Sequence, residues 1–379
     1  MRTAIATGGY WKPGETFVNR HIQHLFGGDT VVVANRLRDG NPYDKPCATR
    51  RRARFAAADL WQQPVASLQG MRRWSTTTVP HGRTRRALEA FLRAERVEAI
   101  LAEFGSEAIA LAPVAEGLGL PIFGYFRGYD ASKDLRKERV CEAYRRAMPK
   151  LAGVFAVSRF LLDNLAAHGI RHPQSFVIPS GVDVRRFVPG EKRPGSFLAV
   201  GRLIDKKAPQ ITLRAFADAA RDRPGARLDV AGDGPLLEEC RALVDGLGMT
   251  GRITLHGALP HDRVRAMLAE TEVFLQHSLT DAQGNTEGLP TAIQEAMAAG
   301  CAVISTRHAG IPEAVEEGAT GWLVAERDEP GFTARIAAAL ADPGLAAMGA
   351  RARQVAEARF DNARLLAELE MRMRALAGR

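Results

Sequence analysis

The stretch Gln276-His277-Ser278-Leu279-Thr280-Asp281-Ala282-Gln283-Gly284-Asn285-Thr286-Glu287-Gly288-Leu289-Pro290-Thr291-Ala292-Ile293-Gln294-Glu295-Ala296-Met297-Ala298-Ala299-Gly300, followed by the apolar run Cys301–Ser305, reads as strand, polar loop, helix and strand. Pro290 suits the first turn of a helix and Gly300 the position just past its end, so the helix should begin beside Gly288 and Leu289. Its free N–H groups and positive dipole end can hold an anion such as a diphosphate. Glu287 precedes this helix and Glu295 lies two turns further on. Carboxylates accept hydrogen bonds from hydroxyls well, so the pair could grip a sugar and a ribose. Taken alone, the same two residues also read as a capping Glu and a solvated helical Glu.

Outward from this unit, the same alternation fills the chain. Short apolar runs bounded by Gly, Pro or Asp alternate with longer stretches at helical spacing, the signature of βαβ units and parallel sheets. Strands are expected in the first half at Thr3–Ala6, Thr30–Ala34, Ala99–Ala102, Ile122–Phe126 and Gly153–Ala156, with helices near 16–26, 83–95, 107–118, 136–148 and 158–168. In the second half the strands fall at Ser196–Val200, Arg227–Ala231, Ile253–Leu255, Val273–Gln276, Ala302–Ser305 and Gly321–Val324. The polar, Pro- and Gly-rich segment 189–195 separates the two series as a linker. The fold class is therefore α/β with two doubly wound domains, 1–188 and 196–358, and a last helix within 359–379 that packs back across them. Residues 38–80 show little periodicity. Open parallel sheets bind ligands beyond the carboxyl ends of their strands, so a cleft with loops from both domains is the expected site.

Composition agrees with an ordinary globular protein: 379 residues, 46% hydrophobic and 25% charged, too long for one comfortable core. No run approaches the roughly 18 apolar residues of a membrane span, and the N-terminus does not read as a signal peptide, so a cytoplasmic protein is expected. The four cysteines show neither metal spacing nor a disulfide pattern. The net charge of +9 is uneven. Residues 1–180 carry 27 Lys+Arg against 16 Asp+Glu, and residues 181–379 carry 25 against 27. The excess gathers in Arg50-Arg51-Arg52-Ala53-Arg54, Arg72-Arg73 and Arg83-Thr84-Arg85-Arg86, with Phe55, Trp61 and Trp74 interleaved. Such a face attracts polyanions or an anionic membrane surface; the equally open reading is a solvated arginine-rich surface.

In Gly201-Arg202-Leu203-Ile204-Asp205-Lys206-Lys207 a glycine-terminated strand delivers cations to a crevice, where a departing diphosphate would need preorganised positive partners. This motif stands beside Ile178-Pro179-Ser180-Gly181-Val182-Asp183, Gly232-Asp233-Gly234-Pro235 and Gly310-Ile311-Pro312-Glu313. Together with the Glu-x7-Glu spacing of Glu287 and Glu295, their order resembles glycosyltransferase family 4 over nearly the whole chain. The resemblance implies the GT-B fold, two Rossmann-like domains facing across a cleft. It also implies a retaining hexosyl transfer from a UDP-, GDP- or ADP-type sugar to a glycan or lipid-linked acceptor. Glu287 would face the donor sugar, Glu295 the ribose, and Arg202 and Lys207 the diphosphate, with Glu287, Arg202 and Lys207 as the catalytic group. Gly9, Gly201, Gly288, Leu289 and Pro290 complete the implied donor site. Ala208 departs from the glycine usual after this lysine.

After the first strand, Gly8-Gly9-Tyr10 lets the backbone approach a ligand closely. Gly14-Glu15-Thr16-Phe17 resembles the Ser-Glu-Thr-Phe pattern of exopolysaccharide and colanic-acid type members, which points to polysaccharide assembly. Where members often carry His-Gly-x-Asp, this chain has Arg127-Gly128-Tyr129-Asp130. Arginine cannot be a general base, so Arg127 can only bind anions or donate hydrogen bonds. Glu15, Arg127 and Asp130 are the candidates for acceptor or sugar contact. No Asp-x-Asp motif and no His or Cys cluster suggests a required metal, and no cofactor is expected. Two rival readings are a sugar-nucleotide epimerase on the same architecture and a basic nucleic-acid-binding protein; the latter leaves the Glu287–Glu295 helix unexplained, and nucleic acid is not an expected partner.

Overall fold

The computed structural model describes residues 1–10, 14–35, 41–49 and 68–378. The arginine cluster 50–54, Phe55 and Trp61 lie outside the described residues. By its contacts the chain divides into two units, Met1–Ile178 with Leu366–Arg379, and Pro179–Leu365.

The first unit holds a seven-stranded parallel sheet of β1 (Thr3–Thr7), β2 (Thr30–Ala34), β3 (Cys47–Thr49), β4 (Ala99–Glu103), β5 (Ile122–Phe126), β6 (Gly153–Ala156) and β7 (Ser175–Val177), in the order β3-β2-β1-β4-β5-β6-β7. β1, β2, β4, β5 and β6 are buried along their whole length. Continuous burial on both faces is why they read as unbroken apolar runs and not as alternation. β3 and β7 escape the sequence pattern because each has only three residues, none of them fully buried.

The second unit is a six-stranded parallel sheet: β8 (Arg193–Val200), β9 (Arg227–Ala231), β10 (Ile253–Gly257), β11 (Thr271–Gln276), β12 (Ala302–Thr306) and β13 (Gly321–Val324), ordered β10-β9-β8-β11-β12-β13. The order reverses direction between β8 and β11, so the crevice at the switch point opens beyond Val200 and Gln276. Phe197, Leu213, Phe216, Leu228, Ile304 and Phe332 are among the residues that fill the core around this sheet.

Two boundaries differ from expectation. Segment 189–195 is anchored within the second unit. Gly190 N–H donates to the Ala269 carbonyl at 3.0 Å, Lys192 Nζ donates to the carbonyls of Leu268 and Ala299 at 3.1 and 2.7 Å, and β8 already begins at Arg193. Proline and glycine mark a tight entry to the strand there, and the division falls at Ile178/Pro179 instead. The last helix runs Asn362–Leu376, with the chain from Leu366 onward grouped with the first unit, where Leu369 and Met373 are buried.

The Gly232-Asp233-Gly234-Pro235 motif has a packing cause. A Cβ at Gly232 would stand 1.8 Å from the Gly201 carbonyl oxygen, and one at Gly234 2.4 Å from that of Leu203. The loop after β9 therefore lies directly against the loop after β8, joined by Leu203 N–H to the Asp233 carbonyl at 3.0 Å. Only glycine permits so close an approach.

Candidate donor site

Beyond β8 the backbone turns through Gly201 at φ 149° into the short helical turn Asp205–Lys207, then passes Ala208 at φ 38°, ψ 54° into the helix Pro209–Ala219. Ala208 thus takes the left-handed conformation that glycine adopts without cost and that costs an L-residue roughly 1–2 kcal/mol. Ala208 nonetheless adopts the turn, with its methyl group buried.

Glu287 sits between two ammonium groups. Lys207 Nζ is 3.2 Å from its Oε1 and Lys206 Nζ 3.4 Å from its Oε2, and all three side chains are less than a fifth exposed. Burial by itself would raise the Glu287 carboxyl, but Lys207 and then Lys206 outweigh it and hold the group at about 2. Burial lowers Lys207, with Glu287 opposing the shift. Because the folded-state pKa of Glu287 lies below its ordinary value of 4.5, its contribution to stability is present above that value. It is lost as pH falls toward about 2. Unfolding titrations between pH 5 and 2 should therefore show a shallower loss of stability in Glu287→Gln than in the parent; parallel curves would contradict the pairing.

Arg202 is exposed, and among the described residues no carboxylate pairs with it. Glu295, within the helix Thr291–Ala298, lies 3.2 Å from His261 Nε2, and that bond raises the pKa of His261. His261 also packs edge-on against Phe187, ring centroids 5.4 Å apart. Pro290 is the residue before the helix and not inside its first turn, with Gly288 and Leu289 buried beside it.

Four strand-end loops are tied together at this rim. Leu279 N–H donates to the Lys206 carbonyl at 2.9 Å, Gly310 N–H to the Gly288 carbonyl at 2.9 Å, and Thr280 N–H to Glu326 Oε2 at 2.8 Å. His308, buried beyond β12, accepts the Glu287 N–H on Nε2 at 3.0 Å and holds Glu326 Oε1 at 2.6 Å through Nδ1. His277 is fully buried, accepts the Arg327 N–H at 3.0 Å and meets Phe332 edge-on; burial pushes its pKa down to about 4, so it stays neutral. Glu326 and His261 escape sequence reading because neither lies in a recognised motif. His308 does lie beside Gly310-Ile311-Pro312, which is the signal that could have marked it.

The candidates in the first unit lie near the ends of β1 and β5 and before the helix Thr16–His24. Asp130 is wholly buried, and its carboxylate accepts the N–H groups of Arg127, Gly128 and Gly105 at 3.0, 2.9 and 2.9 Å. It fixes the turn after β5. Arg127 is also buried. Its Nε and terminal nitrogen donate to Glu103 Oε2 at 3.0 and 2.7 Å, and its guanidinium lies 3.6 Å above the Tyr125 ring and 4.4 Å from that of Phe17. Its charge is matched by Glu103, whose other oxygen meets His21 Nδ1 at 2.5 Å. An anion at Arg127 would have to compete with this pair. Glu15 precedes the helix Thr16–His24, its carbonyl accepting the Asn19 N–H at 3.1 Å, and Gly9 is buried in the bend after β1. Trp74 is buried with Arg73 over its ring at 5.6 Å, so it is no part of an exposed aromatic face.

Family models cover both halves. Residues 28–186 match Glycosyltransferase Family 4 and residues 183–359 match Glycosyl transferases group 1. The chain is 31% identical to a colanic acid biosynthesis glycosyltransferase of Escherichia coli K12, over 74% of this chain and 71% of that protein. The chain belongs to glycosyltransferase family 4. An amylovoran biosynthesis glycosyltransferase of Erwinia amylovora is 28% identical over 58% of this chain and 57% of its own length. Among solved structures, Anabaena HepE in complex with UDP superposes with a TM-score of 0.80 at 17% identity, covering 99% of this chain and all of that one. A sucrose-phosphate synthase of Thermosynechococcus elongatus superposes at 0.73 with 17% identity and 99% coverage of each chain. Both share the two-domain architecture of this family-4 chain, the GT-B fold.

Proposed function

We propose that this glycosyltransferase moves a hexose from a nucleoside diphosphate sugar onto a glycan or lipid-linked acceptor in polysaccharide assembly, with retention of configuration and without a metal ion. The observation that carries the reading is the Lys206–Glu287–Lys207 cluster at the switch point of the second sheet. Two ammonium groups flank a carboxylate there, in the loop that leads into the helix Thr291–Ala298. Such a site can receive the diphosphate on its cations while Glu287 turns toward the sugar hydroxyls. Arg202, exposed on the same loop, would offer a planar fork to the phosphates, and Glu295 would meet the ribose. The donor's own departing phosphate can take the acceptor proton, so the protein's part is to orient and to neutralise.

HepE is described with UDP and with UDP-glucose, and mycobacterial relatives are named as GDP-mannose-dependent mannosyltransferases. Both donor classes belong in the test. UDP, GDP, ADP and their sugars are to be screened by thermal shift, since a ligand that binds only the folded state raises its apparent stability. Transfer by the stabilising donor should persist in EDTA, and proton NMR should show the anomeric configuration retained. Metal-restored activity or inversion would overturn the corresponding half of the reading. Donor converted to its epimer without transfer would favour the epimerase alternative.

The membrane surface is the second element of the proposal. Arg72, Arg73, Arg83 and Arg86 are exposed on the first unit, whereas Arg85 is engaged by Glu89 at 2.7 Å and the Pro113 carbonyl at 3.1 Å. Each basic residue close to an anionic bilayer contributes about 1 kcal/mol, enough for reversible docking near a lipid-linked acceptor at the inner face of the cell membrane. No described helix is long and apolar enough to cross a membrane. Co-sedimentation with anionic but not neutral vesicles, weakening with salt, is expected; equal negligible binding to both would remove this element.

A further inference from the structure

We propose that His308 and Glu326 are positioning residues for sugar transfer, acting through the backbone of Glu287. The proposal rests on the reading of Glu287 as the donor-facing carboxylate. Glu287 lies in the long connection between β11 and the helix Thr291–Ala298, where no strand or helix fixes the chain. Something else must hold its main chain while its side chain stands between two lysines.

The partners determine how His308 does this. Nε2 accepts the Glu287 N–H at 3.0 Å, and a ring nitrogen that accepts carries no proton. The proton of the neutral imidazole therefore sits on Nδ1, donated to Glu326 Oε1 at 2.6 Å. The Glu326 carboxylate selects the tautomer that leaves Nε2 free to accept, as outer carboxylates do for working histidines elsewhere. The same carboxylate accepts the N–H of Thr280 at 2.8 Å and its hydroxyl at 3.2 Å. One group beyond β13 thus holds the loops after β11 and β12 in register, and Gly310 N–H to the Gly288 carbonyl at 2.9 Å repeats the tie one residue past Glu287. Ala309, at φ 47°, turns the chain so that the His308 ring and the Gly310 amide both address residues 287 and 288.

Filling the space would not reproduce this arrangement, because an apolar side chain leaves the Glu287 N–H without an acceptor and the loop without its stop. A shift of about 1 Å in a positioning group can cost on the order of 100-fold in rate. The effect would appear in turnover more than in nucleotide affinity, since Lys206, Lys207 and Arg202 remain in place.

Two amide substitutions separate the two ring nitrogens. In His308→Gln the carbonyl reaches the place of Nε2 and can still accept the Glu287 N–H, while the link to Glu326 is lost. In His308→Asn the amide reaches only the place of Nδ1, so the link to Glu326 survives and the Glu287 N–H loses its acceptor. With donor turnover, KM and melting temperature measured on the full chain, His308→Asn should lose about 30-fold or more in kcat with little change in KM, and His308→Gln should stay within about fivefold of the parent. The reverse order, or Asn equal to the parent, would overturn the proposal and leave His308 a structural partner of Glu326. Should His308→Asn fail to fold, Glu326→Gln decides: it keeps the ring but releases its tautomer, and about a tenfold fall in kcat is expected, unchanged kcat being the contrary result. Glu287→Gln is the separate control. If it transfers sugar as fast as the parent, the reading of Glu287 fails, whatever the His308 pair shows.

Discussion

Glu287→Ala is expected to remove sugar transfer and to destabilise the second unit at once. Its carboxylate is the counter-charge of two ammonium groups that are themselves less than a fifth exposed. Removing one partner of a buried ion pair costs about 3–5 kcal/mol, because the remaining charge keeps its desolvation penalty without compensation. Here two like charges remain together, which adds repulsion. Glu287→Gln keeps the shape and should show a similar but smaller loss. Transfer should fall by on the order of 100-fold or more in both if, as proposed, Glu287 orients the donor sugar. Denaturant midpoints and initial rates on the purified chain check the two effects separately. A fully active, equally stable alanine variant would show that neither the pairing nor the role is correct.

Lys207→Ala is expected to act on turnover. The leaving group gains negative charge as the glycosidic bond breaks, so a cation fixed beside it stabilises the transition state more than the bound donor. Loss of one preorganised electrostatic partner of this kind costs about 100- to 1,000-fold in kcat. KM should change much less, because Arg202 and Lys206 would still be available to the diphosphate. Folding should survive, since Lys206 continues to pair with Glu287 at 3.4 Å. Lys206→Ala provides the comparison. A kcat for Lys207→Ala equal to the parent's, with Lys206→Ala impaired, would move the leaving-group role to Lys206. Because the two lysines and Glu287 touch, the single effects should not add in the double variant.

Much of the architecture is legible in the chain itself. Strands β2, β5, β6, β9 and β13 coincide end for end with the expected runs; all but β9 are buried along their whole length, which leaves continuous apolar segments. The family motifs could be placed on strand ends for the same reason. The chemistry that groups Lys206, Lys207 and Glu287 was only half visible. Sequence order separates 206–207 from 287, and it could not show that the carboxylate divides itself between both lysines. The backbone direction after Gly201 decides that.

What the sequence by itself determined is the alternation of elements, and with it two parallel sheets, the switch-point crevice and the residue types at its rim. These are local properties: hydrophobic period, turn residues and caps act over a few neighbours. What only the tertiary structure decided is which polar groups find each other. Arg127 and Asp130 read as candidates for sugar or acceptor contact; long-range packing pairs Arg127 with Glu103, 24 residues away, and encloses Asp130 in a turn completed by Gly105. No local pattern joins His308 to Glu326, yet the parallel order of β11, β12 and β13 brings their loops to one rim and sets an imidazole under the Glu287 amide. Burial requires every such group to be paired, and the identity of the partner depends on sheet order and loop path, which no local pattern encodes.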